Sequence, residues 1–279
     1  MGYGLSVYNI VDSPDTTIGQ YGTPVTFDSA YPLSNIATRQ VSKIAKTAGN
    51  ESMVTLALTN TVTGFGINPT IAIIGLSAVL NEAYEITISG SNVALGNSEL
   101  FSTTETLLRP SVVTDPSRDE FTYGYFKKIT CTTSAKYIVI SIDAFSSIAP
   151  FELGRVWAGP SVVGTERNVS LVGGLYLGGS NATSAGGQAY GVTSKSLRQC
   201  QVTIERFSDA DKQELLRALA YVGRGRPFVF MRTTSDSDTP QKAYKRDNSF
   251  YAHMEGEVSF SAQAARNLNT VSFGFVEER

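Results

Sequence analysis

The sequence predicts a mainly β protein in two parts: an antiparallel β-sandwich over residues 1–160 and an α+β module with one helix over residues 161–279. Three observations carry this expectation. The chain is poor in charge, with 17% of its 279 residues charged against about 25% in an ordinary soluble domain. Its hydroxyl-bearing and aromatic residues suit pleated surfaces, where such side chains pack well. Short runs of alternating apolar and polar residues recur between turn signals, whereas one window alone repeats apolar side chains at helical spacing. The length also exceeds the roughly 250 residues at which single cores stop growing, which points to two domains.

The elements follow in order. Residues 1–31 are rich in Gly, Pro, Asp and Thr and read as an extended lead-in with one apolar segment, Leu5 to Val11. Met53 to Leu58 and Thr70 to Leu80 read as strands. Glu82 to Ser89 alternates and is expected to turn at Gly90-Ser91-Asn92. Phe121 to Cys131 and Lys136 to Ile142 are further strands. In the second of these, Ile138, Ile140 and Ile142 share one face while Tyr137 and Val139 make the other partly apolar, as expected of a strand inside a sheet. Glu152 to Pro160 closes the first part with a strand and a Gly-Pro stop.

Residues 161–195 contain glycine pairs at 173–174, 178–179 and 186–187. They read as a turn-rich connector. The alternative is a long β-hairpin ordered against another subunit, which the aromatics Tyr176 and Tyr190 favour. Arg198 to Phe207 is a strand with Cys200, Val202 and Ile204 on one face. Ser208 then reads as an N-cap, followed by acidic residues at the positive end of the helix dipole. Leu215, Leu216, Leu219 and Val222 form the apolar stripe of this helix, and Gly223, Gly225 and Pro227 end it. Phe228 to Thr233, Phe250 to Phe260 and Thr270 to Glu277 are strands, and residues 234–248 form a polar loop.

Composition excludes several functions. Net charge is −2 and no basic block exists, so specific nucleic-acid binding is not expected. No apolar run reaches the roughly 18 residues of a membrane span, so membrane insertion is not expected. The N-terminus MGYGLSVYNIVDSPD lacks a basic n-region, and no signal peptide is expected. Cys131 and Cys200 read as buried free thiols rather than a disulfide.

Catalytic chemistry is equally constrained. A serine or cysteine triad would have to use His253, the only histidine, which sits on one face of a strand without a G-x-S-x-G elbow. Asp236 and Asp238 offer two carboxylates where a calcium ion needs six to eight oxygens. Glu152 and Arg155, three residues apart on a strand, face opposite sides and are not expected to act as an acid–base pair. The expectation is that one is solvated and the other sits in a domain-interface ion pair. No enzyme activity, cofactor or metal is expected.

Two stretches carry a resemblance. KYIVISIDAFSSIAPFELGRVWAGP, residues 136–160, resembles the last strands of discoidin-like, galactose-binding-like jelly-roll domains in tail proteins of long-tailed bacteriophages. Tyr137, Ile140, Ile142 and Asp143 match the strand; Glu152, Gly154, Arg155, Gly159 and Pro160 match the closing motif. Residues 197–279, with CQVTIERFSDADKQELLRAL, GRGRPFVF and VSFGFVEE, resemble the C-terminal part of the same proteins, which is similar to the tail-tube fold. The resemblance implies a distal-tail or minor-tail protein of the tail tip. Such a protein has a galactose-binding-like β-sandwich, a tail-tube-like α+β module and a homo-oligomeric ring, trimeric or hexameric. It implies assembly in the host cytoplasm, residence in the virion, and contact with other tail proteins. A glycan-binding module for host attachment is the rival reading.

Interfaces would then carry the function. The interface candidates are Arg155, Trp157, Tyr176, Tyr190, Arg224, Arg226, Lys242, Lys245 and Arg246. Trp157 is expected to plug the junction of the two parts, and the basic residues to meet acidic residues of a neighbouring subunit.

Overall fold

The computed structural model describes residues 2–40, 43–76, 83–108, 123–145, 150–165, 169–176, 179–183, 189–193, 197–207, 209–223, 225–232, 249–263 and 268–278. The protein is mainly β. It divides into two compact units, Met1–Thr165 with Phe228–Tyr251, and Glu166–Pro227 with Ala252–Glu278.

The first unit contains β1 (Gly2–Ser6), β2 (Thr17–Gln20), β3 (Ala45–Lys46), β4 (Met53–Thr59), β5 (Thr70–Leu76) and β6 (Ala83–Ala94). It continues with β7 (Asn97–Leu108), β8 (Tyr123–Lys128), β9 (Tyr137–Asp143), β10 (Glu152–Leu153), β11 (Arg155–Gly159) and β12 (Val162–Thr165). A five-stranded sheet runs β2-β4-β9-β6-β7, and a three-stranded sheet runs β11-β5-β8. Both feed one core. Val54, Leu56, Leu58, Ile86, Ile88, Ile138, Ile140 and Ile142 come from the first sheet; Ile71, Ile73, Tyr125, Val156 and Ala158 come from the second. The alternation read in KYIVISID is the cause: Ile138, Ile140 and Ile142 are fully buried, while their neighbours face outward in part. β5 is buried along both faces. Its Ile71 and Ile73 enter this core, and its Ala72 and Ile74 enter a second cluster on the other side.

Two expectations are corrected here. Residues 1–31 are not a lead-in. β1 pairs with β12 and, through Gly4↔Met231, with the strand Pro227–Met231. Tyr3, Leu5, Ile10 and Val11 are core residues. The turn expected at Gly90-Ser91-Asn92 is instead strand. β6 runs on to Ala94, with shifted register at Gly90/Ser91, and Ser91 is buried with its hydroxyl donating to the Asn97 carbonyl. The polar triplet that signals a turn on average here joins a 12-residue strand, in which Gly90 and Ser91 pair with β9 while Asn92 stays exposed.

The second unit contains β13 (Val169–Tyr176), β14 (Gly179–Thr183), β15 (Ala189–Thr193), β16 (Leu197–Phe207) and α1 (Asp209–Val222). After β17 (Pro227–Met231), the strand β18 (Ser249–Gln263) enters this unit at Ala252, and β19 (Leu268–Glu277) completes it. β18 pairs with β19, β19 with β16, and β16 with β13, all antiparallel. The connector expected at 161–195 is therefore built from strands, β14 and β15 pairing with each other. Glycine runs permit a flexible chain, but here cross-strand hydrogen bonds outweigh that freedom.

β16 and β19 bury the faces their alternation marks: Cys200, Val202 and Ile204, and Val271, Phe273 and Phe275. α1 lies against β19. It buries Leu215, Ala218, Leu219 and Val222, so Ala218 takes the place expected for Leu216. Gly223, with φ of 53°, ends the helix in the left-handed conformation, and its N–H donates to the Leu219 carbonyl at 3.0 Å. The expected Ser208 cap and the 234–248 loop, including Asp236 and Asp238, lie outside the described residues. The Asp209 carboxylate instead accepts a 2.9 Å bond from Asn269 Nδ2.

Candidate functional site

The segment RVWAG forms β11, antiparallel to β5, with Arg155↔Ile74 and Trp157↔Ala72 in register. Alternation puts Val156 and Ala158 in the main core and sends Arg155 and Trp157 to the opposite face. There Trp157 packs with Ala72, Ile74, Phe126, Val229, Met231 and Tyr251. The last three come from beyond residue 161 in sequence, yet belong to the first unit.

Arg155 is 0% exposed. A guanidinium in such a place must be paired. Its Nη2 lies 2.6 Å from Asp12 Oδ2, and its Nη1 donates to the Thr38 carbonyl. Its charge also sits over two ring faces, 5.8 Å from the Trp157 centroid and 5.4 Å from that of Tyr251. Among the described residues, Nε has no hydrogen-bond partner. Burial pushes the Asp12 carboxyl above its ordinary value, while the Arg155 charge pulls it the other way.

Trp157 is 1% exposed; its Nε1–H donates to Ser6 Oγ at 2.8 Å, and that hydroxyl donates to the Pro160 carbonyl at 2.9 Å. Tyr251 meets Trp157 edge-on at 6.0 Å, and its hydroxyl donates to the Arg39 carbonyl at 3.3 Å. Asn9 clasps the strand between them. Its Oδ1 accepts from the Ala158 N–H at 2.9 Å, and its Nδ2 donates to the Val156 carbonyl at 3.1 Å.

The interface candidates fare differently. Arg155 and Trp157 are spent on the chain's own packing. Arg155 makes its ion pair with Asp12 of the same unit, not across a domain interface, and Glu152 pairs with Lys46 at 2.7 Å. Arg226 is exposed, but its guanidinium sits 4.3 Å from the centroid of its own helix's Tyr221 ring. Arg224, Lys242, Lys245, Arg246 and the side chains of Tyr176 and Tyr190 lie outside the described residues. Of the three candidates whose side chains are described, the structure brings Arg155 and Trp157 together.

Sequence reasoning missed Ser6, Asn9, Asp12 and Tyr251. The one local signal is Asn9 itself: an Asn ahead of Ile-Val-Asp is an N-cap pattern, and Asn9 does cap a 3-10 turn at Ile10–Asp12.

Among the described residues, further ion pairs stand apart from Arg155: Lys127 with Glu105 at 2.8 Å, and Arg198 with Glu277. His253 lies in β18, a strand as expected, with its Nδ1 3.5 Å from Glu278 Oε1. Cys131 and Cys200 are free and buried, and burial pushes the Cys200 thiol up to about 11. Among the described residues, no group of three His, Cys, Asp or Glu side chains is placed to hold a metal ion, and no helix is long and apolar enough to cross a membrane. The arrangement around Arg155 is thus a packed junction that joins residues 6–12, 38–39, 155–160 and 251. Against known proteins, no family model matches the chain, and no curated protein matches it.

Proposed function

We propose that the chain is a structural component of the tail tip of a long-tailed bacteriophage. In this reading it forms a homo-oligomeric ring around the tail axis and connects the tail tube to tip proteins. The first unit is a galactose-binding-like sandwich, and the second is a tail-tube-like module. Interfaces, rather than catalysis, carry the function.

The observation that supports this most is the use made of the resembling segment 136–160. Its strand supplies the centre of a core-forming sheet, and its closing motif RVWAG is consumed inside the chain. The residues that carry the likeness are therefore scaffold residues, as a structural role requires. The rival glycan reading loses its strongest aromatic platform, because Trp157 is buried. The test is mass spectrometry of purified particles, with the copy number per tail from cryo-EM. Three or six copies at the tip are expected; absence from particles would sink the reading.

A further inference from the structure

β11 is an edge strand: among the described residues its backbone ladder is with β5 alone, and its other side is left to the start of the chain. That start keeps one register throughout. β1 pairs with β12 from Gly2↔Thr165 to Leu5↔Val162. Extended past β1, the same register sets Tyr8 opposite Gly159, Asn9 opposite Ala158 and Asp12 opposite Arg155. Those are the contacts formed: the Tyr8 carbonyl lies against Gly159, Asn9 bonds to Ala158, and Asp12 pairs with Arg155. Residues 2–12 therefore run antiparallel along residues 155–165, although only the first part, to Ser6, is strand.

Beyond β1 a side chain takes the place of the backbone. A carboxamide carries the donor and the acceptor of a peptide unit, and Asn9 uses both on β11. Its Oδ1 accepts from the Ala158 N–H at 2.9 Å and its Nδ2 donates to the Val156 carbonyl at 3.1 Å. The same oxygen accepts from the Val11 N–H at 3.3 Å, and the same nitrogen donates to Asp12 Oδ1 at 2.9 Å. Both acceptor positions and both N–H groups of the side chain are thus filled. Aspartate would lack the donors, and the longer glutamine would displace the group. Buried Ile10 and Val11 hold the far end of the segment in the main core.

We infer that residues 6–12 are a surrogate strand, a strap built into the fold that seals β11 against strand addition by another chain. All five residues of β11 are buried, and four of them, Val156 to Gly159, are uncharged. Without Asn9, the Val156 carbonyl and the Ala158 N–H would face outward unpaired, and an apolar edge of that kind is a template for a foreign strand. A regular strand at 6–12 would only move the open edge outward by one place. The 3-10 turn at Ile10–Asp12 and the side-chain pairing of Asn9 end the sheet instead. The inference is independent of the tail-tip reading, since it concerns the chain on its own.

Asn9→Ala in the full chain tests it, at a temperature where circular dichroism shows the native fold. The Ala158 amide is expected to exchange with deuterium at least tenfold faster than in the unaltered chain. The variant is also expected to grow intermolecular β-structure, read by light scattering and thioflavin T, while the unaltered chain stays clear. A synthetic peptide of residues 2–12, added in excess, should suppress that growth, and the same peptide carrying Asn9→Ala should not. Ile140→Val, in the other sheet, is the control for general loss of stability and should stay clear. If Asn9→Ala does not fold, Asn9→Ser replaces it, since serine keeps an oxygen for the Val11 N–H. A folded Asn9 variant that stays clear, growth indifferent to the peptide, or equal growth in Ile140→Val overturns the inference.

Discussion

Gly159→Ala tests the close approach between the end of β11 and the segment after β1. An added Cβ would lie 1.9 Å from the Tyr8 carbonyl oxygen and 3.1 Å from its carbon. The opposing atoms are backbone, so no rotamer change relieves the overlap. Overpacking of this kind costs about 1–3 kcal/mol, and relief requires Tyr8 to move away. That movement strains the Asn9 clasp on Val156 and Ala158, where each lost bond costs about 1 kcal/mol. The expected loss is about 3–5 kcal/mol, measured by urea unfolding. Gly225→Ala is the control, because nothing lies within 4 Å of its added Cβ; a change within about 0.5 kcal/mol is expected there. A loss below about 1 kcal/mol in Gly159→Ala would refute the claim that this approach is rigid.

Three further outcomes are expected. Ser6→Ala leaves the buried Trp157 Nε1–H without its acceptor and should cost about 1–3 kcal/mol in the same assay. With Cys131 changed to Ser, Cys200 at pH 8 should react with a disulfide probe at least about tenfold more slowly than an ordinary thiol of pKa 9.0, since its value of about 11 lowers the thiolate fraction about 100-fold and the greater nucleophilicity of the more basic thiolate offsets about half of that in log units. Asp12 is raised above 3.8 by burial, so the folded chain holds its proton more firmly than the unfolded chain. Its contribution to stability therefore falls as pH rises from 3.8 through the folded value, and Asp12→Asn should remove that part of the slope in pH-dependent urea unfolding.

What was legible in the sequence is what local periodicity encodes. KYIVISID declares its buried face by period two, and residues 209–222 declare theirs by a stripe and a terminal glycine. The N-terminal thirty residues were misjudged because their burial is decided by partners far away. Asp12 meets Arg155 across 143 residues, and Ser6 meets Trp157 across 151. No local pattern encodes such a pairing. A hint was present all the same: an Arg inside the apolar run RVWAG demands a counter-charge, and the acidic partner had to come from somewhere. The glycine pairs of 161–195 misled for the opposite reason. Glycine reports what a backbone can do, and cross-strand hydrogen bonding decided what it did.

Trp157 is the chain's only tryptophan, and it lies buried between a guanidinium and a tyrosine edge within one unit. It is therefore a built-in optical label for that unit alone. Its emission should be blue-shifted in the native state and shift to the red when the first unit opens, while events confined to the second unit pass unseen in that channel. Following tryptophan emission alongside far-ultraviolet circular dichroism would read the two units' unfolding separately, without attaching any dye.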